Sequence, residues 1–307
     1  MSGSFLSVWF KEIFMHTCRL CAGSIEKAWT SKDAKSSDTL DLGLCSVCGL
    51  VAQLVLPSDE ELRIYYSHHY REDYKRTHCP KLKYVKRAGR TALDRLDFIQ
   101  RAGIAAQGKR LLDIGAGGGE FCYMADVVTL FHVFEHLAHP RDVMSKIWHL
   151  LTDGGQLIIE VPNLHQADAS PHNVYFKAHL FYYSRYSLMA AASPYFECVR
   201  AEDDGNLFMA FRKRAVPLAD MQLPSAAQLA HTEQRLNQKG WLEYLFVGGG
   251  LMKAPKRIEQ MAAEAMLPRM SPREMLDSVW ARKQRRHSGY VALGAVVAAA
   301  MSLEACC

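Results

Sequence analysis

The stretch from Arg110 to Glu120 constrains this chain more than any other. A short apolar run, Leu111 to Ile114, carries one acid, Asp113, and then breaks into glycines at 115, 117, 118 and 119 before helix-forming residues resume at Glu120. This is the pattern of a strand, a tight glycine turn and a helix start. Without a Cβ in the way, such a turn lets the backbone come close to a ligand. The helix that follows presents free N–H groups to that ligand.

The residues downstream extend the pattern. Asp126 to Leu137 reads as a strand running into a loop. Pro140 to Leu151 reads as a helix with proline in its first turn, stopped at Asp153-Gly154-Gly155. Gln156 to Val161 is an apolar strand ended by Pro162, and Asn206 to Arg212 a closing strand. Strands alternating with helices imply an α/β fold, a Rossmann-like parallel sheet with ligands at the carboxyl ends of its strands.

The chain has 307 residues, enough for a full core and for two domains. Its formal charge of +5 is too mild to argue for nucleic acid. No signal peptide is visible, and the longest apolar run, Tyr290 to Leu303, is too short to span a membrane, so it reads as a buried helix. A cytoplasmic location with reduced thiols is the expectation. Cysteines that come in pairs then read as metal ligands. Cys18 and Cys21, and Cys45 and Cys48, form two CxxC pairs with 23 residues between them. Two such turns complete a tetrahedral four-sulfur site, closed to substrate and structural in character. A segment this small gains folding energy from zinc. Gly49 suits a turn that needs an unusual backbone angle.

Between these regions, Ser58 caps a helix start followed by acids. Next comes an aromatic and histidine-rich patch, Tyr65 to Tyr74 with His68 and His69, expected to cover a substrate cleft. Lys75 to Arg90 is basic and reads as a solvated helix face, or as a surface for an anionic substrate. A helix is expected from Thr91 to Ala102, stopped by Gly103. Beyond residue 214, helices are expected from Ser225 to Lys239, from Pro255 to Met266, and from a capping box at Ser271 to Glu274 onward. The division is 1–56 zinc module, 57–109 helical linker and substrate cover, 110–214 Rossmann-like domain, and 215–307 helical extension, whose helices offer a homodimer contact.

Leu111 to Gly119 resembles the first motif, D-x-G-x-G-x-G, of class I S-adenosylmethionine-dependent methyltransferases. Asp126 to Pro140 resembles their fourth strand and loop, and Leu150 to Asn163 their helix, glycine turn and fifth strand. His179 to Leu188 resembles a stretch of one branch, which includes sugar C-methyltransferases and shares a zinc-binding N-terminus. The matches cover residues 18 to 214 in order. The resemblance implies S-adenosylmethionine held by Asp113, Gly115, Gly117, Gly119 and Phe131. It implies a small-molecule methyl acceptor, with His132, Glu135, His136 and His179 as candidate bases. His136 reads equally as a structural histidine beside Pro140.

One departure stands out. The family carries a second and third strand between the glycine motif and the fourth strand, with an acid that grips the ribose. Here only Phe121 to Ala125 intervenes, so both strands are expected to be missing and the connection is short for a parallel crossover. A catalytically degenerate zinc and Rossmann-like interaction protein is therefore the alternative reading. A nicotinamide-dependent oxidoreductase ranks third, because the acid it needs about twenty residues beyond the glycines is absent.

Overall fold

The computed structural model describes residues 16–36, 38–66, 81–104, 111–115, 127–268 and 270–286. The chain opens with four strands, β1 (His16–Thr17), β2 (Ser24–Lys32), β3 (Thr39–Cys45) and β4 (Val51–Gln53). Helices α1 (Asp59–Ile64) and α2 (Leu82–Arg101) follow. The Rossmann-like stretch supplies β5 (Leu111–Ile114), β6 (Val127–Phe131), α3 (Pro140–Leu150) and β7 (Gln156–Val161). Then come β8 (Phe181–Tyr182), α4 (Arg185–Ala192), β9 (Phe196–Glu202) and β10 (Leu207–Lys213). Helices α5 (Ala226–Gln238), α6 (Gly250–Ala265) and α7 (Pro272–Arg286) close the described chain.

The strands form two sheets, ordered β1-β2-β3-β4-β8 and β5-β6-β7-β10-β9. In the second sheet β5, β6 and β7 are parallel, and β10 runs antiparallel to both β7 and β9. Among the described residues β5 pairs with β6 alone, and no strand lies beyond it. The connection from 116 to 126 lies outside the described residues, and so does the helix expected from Glu120 to Ala125.

Side-chain alternation along the parallel strands explains their unbroken apolar run. On one face Val128, Leu130, Leu157, Ile159, Met209 and Phe211 pack into the largest core cluster. Leu20, Cys45 and Leu50 of the N-terminal segment share that cluster. On the other face Val127, Phe131, Ile158 and Ala210 meet Phe98 and Ile99 of α2. Glu160 belongs to this second face by the same alternation, which sets it against α2.

Three elements differ from the sequence reading. The strand β8 is too short to show a period of its own, yet it pairs with β4 through Val51–Tyr182 and Ala52–Phe181, joining the first sheet to a loop of the Rossmann-like stretch. Helix α2 begins nine residues before the expected Thr91. Its basic run hides a stripe, Leu82, Val85 and Leu93, that packs with Met275, Leu276 and Val279 of α7. Helix α6 begins at Gly250 rather than Pro255. Gly249, at φ +67°, turns the chain five residues earlier, and Pro255 sits inside the helix. The capping boxes of Ser58 and Ser225 form as side-chain and backbone hydrogen bonds. At the start of α7, Ser271 N donates to Glu274 Oε2 at 2.7 Å.

Phe98 is 1 % exposed and carries α2 onto the sheet. Phe98→Ala is expected to cost about 3–5 kcal/mol, read as a lower urea midpoint with an unchanged slope.

Candidate active site and metal centre

The four cysteines converge. Cys18 Sγ lies 3.7 Å from Cys48 Sγ, and Cys21 Sγ lies 3.5 Å from Cys45 Sγ. All four sulfurs fall within 4.8 Å of one another. Zinc–sulfur bonds of about 2.3 Å in a tetrahedron place sulfurs about 3.8 Å apart, so the cage fits the ion. The N–H of Gly23 donates to Cys21 Sγ and that of Val47 to Cys45 Sγ, each at 3.4 Å. Gly49 takes φ +66°, as its place after the second pair requires. The sulfurs compete for charge. Cys21 pushes Cys18 above the ordinary thiol range and Cys18 does the same to Cys48, while Cys18 holds Cys21 and Cys45 below it. A dication resolves that competition by letting all four ionise.

The other candidate residues gather at the carboxyl ends of the parallel strands. Gly115 ends β5 at φ +76°, and a Cβ there would overlap the Val133 side chain. Glycine is required on both counts. The same contact seats the turn against the segment that leaves β6. Asp113 Oδ1 accepts a hydrogen bond from Thr129 Oγ1 at 2.6 Å, across the register that pairs the two residues. Gly117 and Gly119 lie outside the described residues. Phe131 is buried in the cluster facing α2, with the Arg95 guanidinium 4.1 Å from its ring centre.

His132 leaves β6 at φ +56°, in the left-handed region that few non-glycine residues adopt. Its ring lies between two carboxylates, with Nε2 3.1 Å from Glu160 Oε1 and Nδ1 3.4 Å from Glu135 Oε1. Burial opposes charge on the ring, but Glu135 and Glu160 outweigh it and raise the pKa to about 9. His132 is therefore an imidazolium at neutral pH. Burial also pushes the Glu160 carboxyl up, and His132 and Arg95 more than reverse this, holding it below the usual range. Arg95 Nε donates to Glu160 Oε2 at 2.7 Å, and Asn206 Nδ2 donates to Glu160 Oε1 at 2.8 Å. Arg95, Glu160 and Asn206 escaped the sequence reading. The available signal was Glu160 itself, a lone acid in the apolar strand Leu157 to Val161.

Glu135, His136 and His179 form a second group. Their three donor atoms lie within 4.8 Å of one another. His136 Nδ1 donates to the Ala178 carbonyl at 2.6 Å, and its ring centre is 4.8 Å from that of His179. Leu180 N donates to the Glu135 carbonyl at 2.9 Å. Gln53, from β4, donates to the His179 carbonyl at 2.7 Å and to that of Lys177 at 3.0 Å, pinning the loop to the N-terminal sheet. Burial drives the His179 pKa down to about 4, so its imidazole is neutral. Burial works against charge on Glu135, yet His132 beside it holds the carboxyl below the usual range. Tyr66, from the expected aromatic cover, packs edge-on to His136 at 6.1 Å. His68, His69 and the rest of that patch lie outside the described residues.

A separate cavity of about 720 Å³ opens beyond the end of β7, lined by Asn163, His165, Arg185, Tyr186, Asp203 and His231 among others. None of the four candidate bases lines it.

The titrations give a pH profile with a definite sign. His132 has a folded pKa above its unfolded value of about 6.5, so its contribution is complete below that value and is lost as pH rises toward about 9. His179 has a folded pKa of about 4, so stability is lost as pH falls from about 6.5 toward that value. Thermal melts across this range are expected to peak near neutrality, and His132→Gln should flatten the alkaline side alone.

A family model described as Methyltransferase domain matches residues 124–193. A search of curated proteins finds no match for the chain. The matched segment supports a class I S-adenosylmethionine-dependent methyltransferase domain with an α/β Rossmann-like fold. It contributes β6, β7 and all four candidate bases.

Proposed function

We propose that this chain transfers a methyl group from S-adenosylmethionine to a small-molecule acceptor at the carboxyl edge of the second sheet. The observation that carries the reading is the position of the methyltransferase-domain match. The matched segment, residues 124–193, brings His132, Glu135, His136 and His179 to the end of β6, beside the turn that Gly115 makes. The bound cofactor supplies an electrophilic methyl group. Asp113, held by Thr129, offers a carboxylate for the cofactor's ammonium. Gly115 keeps the turn open for it, and Gly117 and Gly119 extend the same cradle in the sequence.

On the acceptor side the residues divide by charge. His132, an imidazolium between two carboxylates, offers a fixed positive group where negative charge develops on the acceptor. Glu135, His136 and His179 form the basic side of the site, and the acceptor's proton leaves toward them. The cysteine cage holds structural zinc, far too closed for substrate. The resemblance of the 179–188 stretch suggests a sugar-like acceptor; the family match does not distinguish that branch. The methyltransferase-domain match favours the enzyme over a degenerate interaction protein.

No helix among the described residues is long and apolar enough to cross a membrane. We infer the four-part division given by the sequence, with the qualification that β8 carries the Rossmann-like stretch into the first sheet.

Calorimetric titration of the full chain tests the reading. S-adenosylmethionine and S-adenosylhomocysteine should both bind, NAD should not, and Gly115→Ala should weaken both at least tenfold. Absence of heat at millimolar cofactor would remove the enzyme reading, and binding of NAD would promote the oxidoreductase.

A further inference from the structure

We propose that helix α6 is a two-fold docking surface for a second copy of this chain. The contact stands apart from the methyl-transfer site and does not depend on it.

The helix faces the opposite way from an ordinary surface helix. Along Gly250–Ala265, the apolar residues Leu251, Ala254, Ile258, Met261, Ala262 and Ala265 recur at helical spacing. At 3.6 residues per turn they share one face about 100° wide. Lys253, Lys256, Arg257, Glu259 and Glu264 occupy the remaining arc. A surface helix normally turns its apolar stripe to the core. Here the polar side does the holding. Lys253 Nζ lies 3.4 Å from Asp168 Oδ2 near the start of the helix, and Glu264 Oε1 lies 2.6 Å from Arg87 Nη2 of α2 near its end. No residue of α6 is buried. Leu251 is 58 % exposed, Ile258 69 % and Met261 59 %. Single exposed apolar residues are ordinary, whereas a continuous stripe marks an interaction surface.

The chain before α6 is fixed as well. A Cβ at Gly248 would overlap the Ala167 carbonyl, so this turn lies directly on the loop after β7. The two ion pairs and this close approach hold the stripe outward.

The stripe complements itself. An antiparallel second copy, centred between Arg257 and Ile258, sets Ala254 against the partner's Met261 and Leu251 beside the partner's Ala265. Ile258 meets its counterpart across the axis. Small residues thus face large ones, and each contact occurs twice, as a two-fold interface requires. The charges agree with this register. Lys256 and Glu259 flank the stripe on one side, and neither forms an ion pair among the described residues. The same axis brings Lys256 to the partner's Glu259, and Glu259 to the partner's Lys256. An anionic lipid surface would be repelled by Glu259, whereas a second copy pairs it.

The available area is sufficient. Between Trp241 and Met266, nine large apolar side chains are half or more exposed. At roughly 80 Å² of apolar surface apiece, they approach the roughly 800 Å² that each partner gives to a standard interface. Val247 and Gly248 of the preceding turn also line the cavity of about 720 Å³, so a second copy would brace one wall of it.

Sedimentation equilibrium of the full chain tests the proposal. At micromolar concentration the mass should be twice the 34.6 kDa of one chain. Ile258→Glu should give a monomer with an unchanged far-ultraviolet circular dichroism spectrum. Lys256→Glu should weaken association about tenfold, because it sets like charges together. Adding Glu259→Lys to that variant should restore association, which general damage to the helix would not do. A single-chain mass at every concentration would overturn the proposal and leave the stripe to a lipid surface or to the apolar run Tyr290 to Leu303, which lies outside the described residues. A dimer that survives Ile258→Glu would overturn it too, since the contact then lies elsewhere. So would a double variant that associates no more tightly than Lys256→Glu. If Ile258→Glu misfolds, the charge exchange decides alone.

Discussion

The Glu160 carboxylate holds the candidate site together. It is buried near the end of a central strand and meets Arg95 from α2, His132 from the end of β6 and Asn206 from the start of β10. Removing one partner of a buried charge typically costs about 3–5 kcal/mol, because the other is left uncompensated. The sequence therefore keeps helix, strand ends and hairpin in fixed relation around this one acid. His132 owes its charge to this acid together with Glu135. Arg95 also stacks on Phe131, so the residue that neutralises Glu160 seals the adjacent core.

The N-terminal segment serves the same edge of the sheet from the other side. Its cysteines fix the turn between β1 and β2 and the turn between β3 and β4, and β3 positions β4. Strand β4 then pairs with β8 and places Gln53 on the carbonyl of His179. A change in the cysteine cage would thus be felt at His179, one link after another, without any cysteine touching a substrate. A shared core reinforces the connection, since Leu20 and Leu50 pack in the cluster that holds Leu157 and Ile159.

Much of this was legible because local chemistry decides it. The CxxC pairs read as a cage because metal geometry depends on spacing. Gln156–Val161 read as a strand because six residues between a double glycine and a proline leave little choice. The cap at Ser58 and the capping box at Ser271 announced helix starts for the same reason. What stayed hidden depends on tertiary contacts. Nothing in Phe181-Tyr182 says that two residues will complete a sheet begun at His16. The stripe Leu82, Val85, Leu93 was masked by the lysines and arginines between its members, and only α7 reveals it as a packing face. His132, Glu135, His136 and His179 were legible as a set through resemblance. Their division into a cation and a basic group was not, because it turns on Glu160 and Arg95, whose partners lie far away in sequence.

The claim at the centre is that the turn at Gly115 and the segment leaving β6 face one S-adenosylmethionine molecule. Ultraviolet cross-linking of methyl-tritiated S-adenosylmethionine to the full chain, followed by peptide mapping, tests it most directly. Label is expected in peptides spanning residues 111–136 and should be displaced by S-adenosylhomocysteine. Label confined to the peptides that line the separate cavity, residues 163–168 and 228–248, or no displaceable label at all, would contradict a cofactor site at this turn.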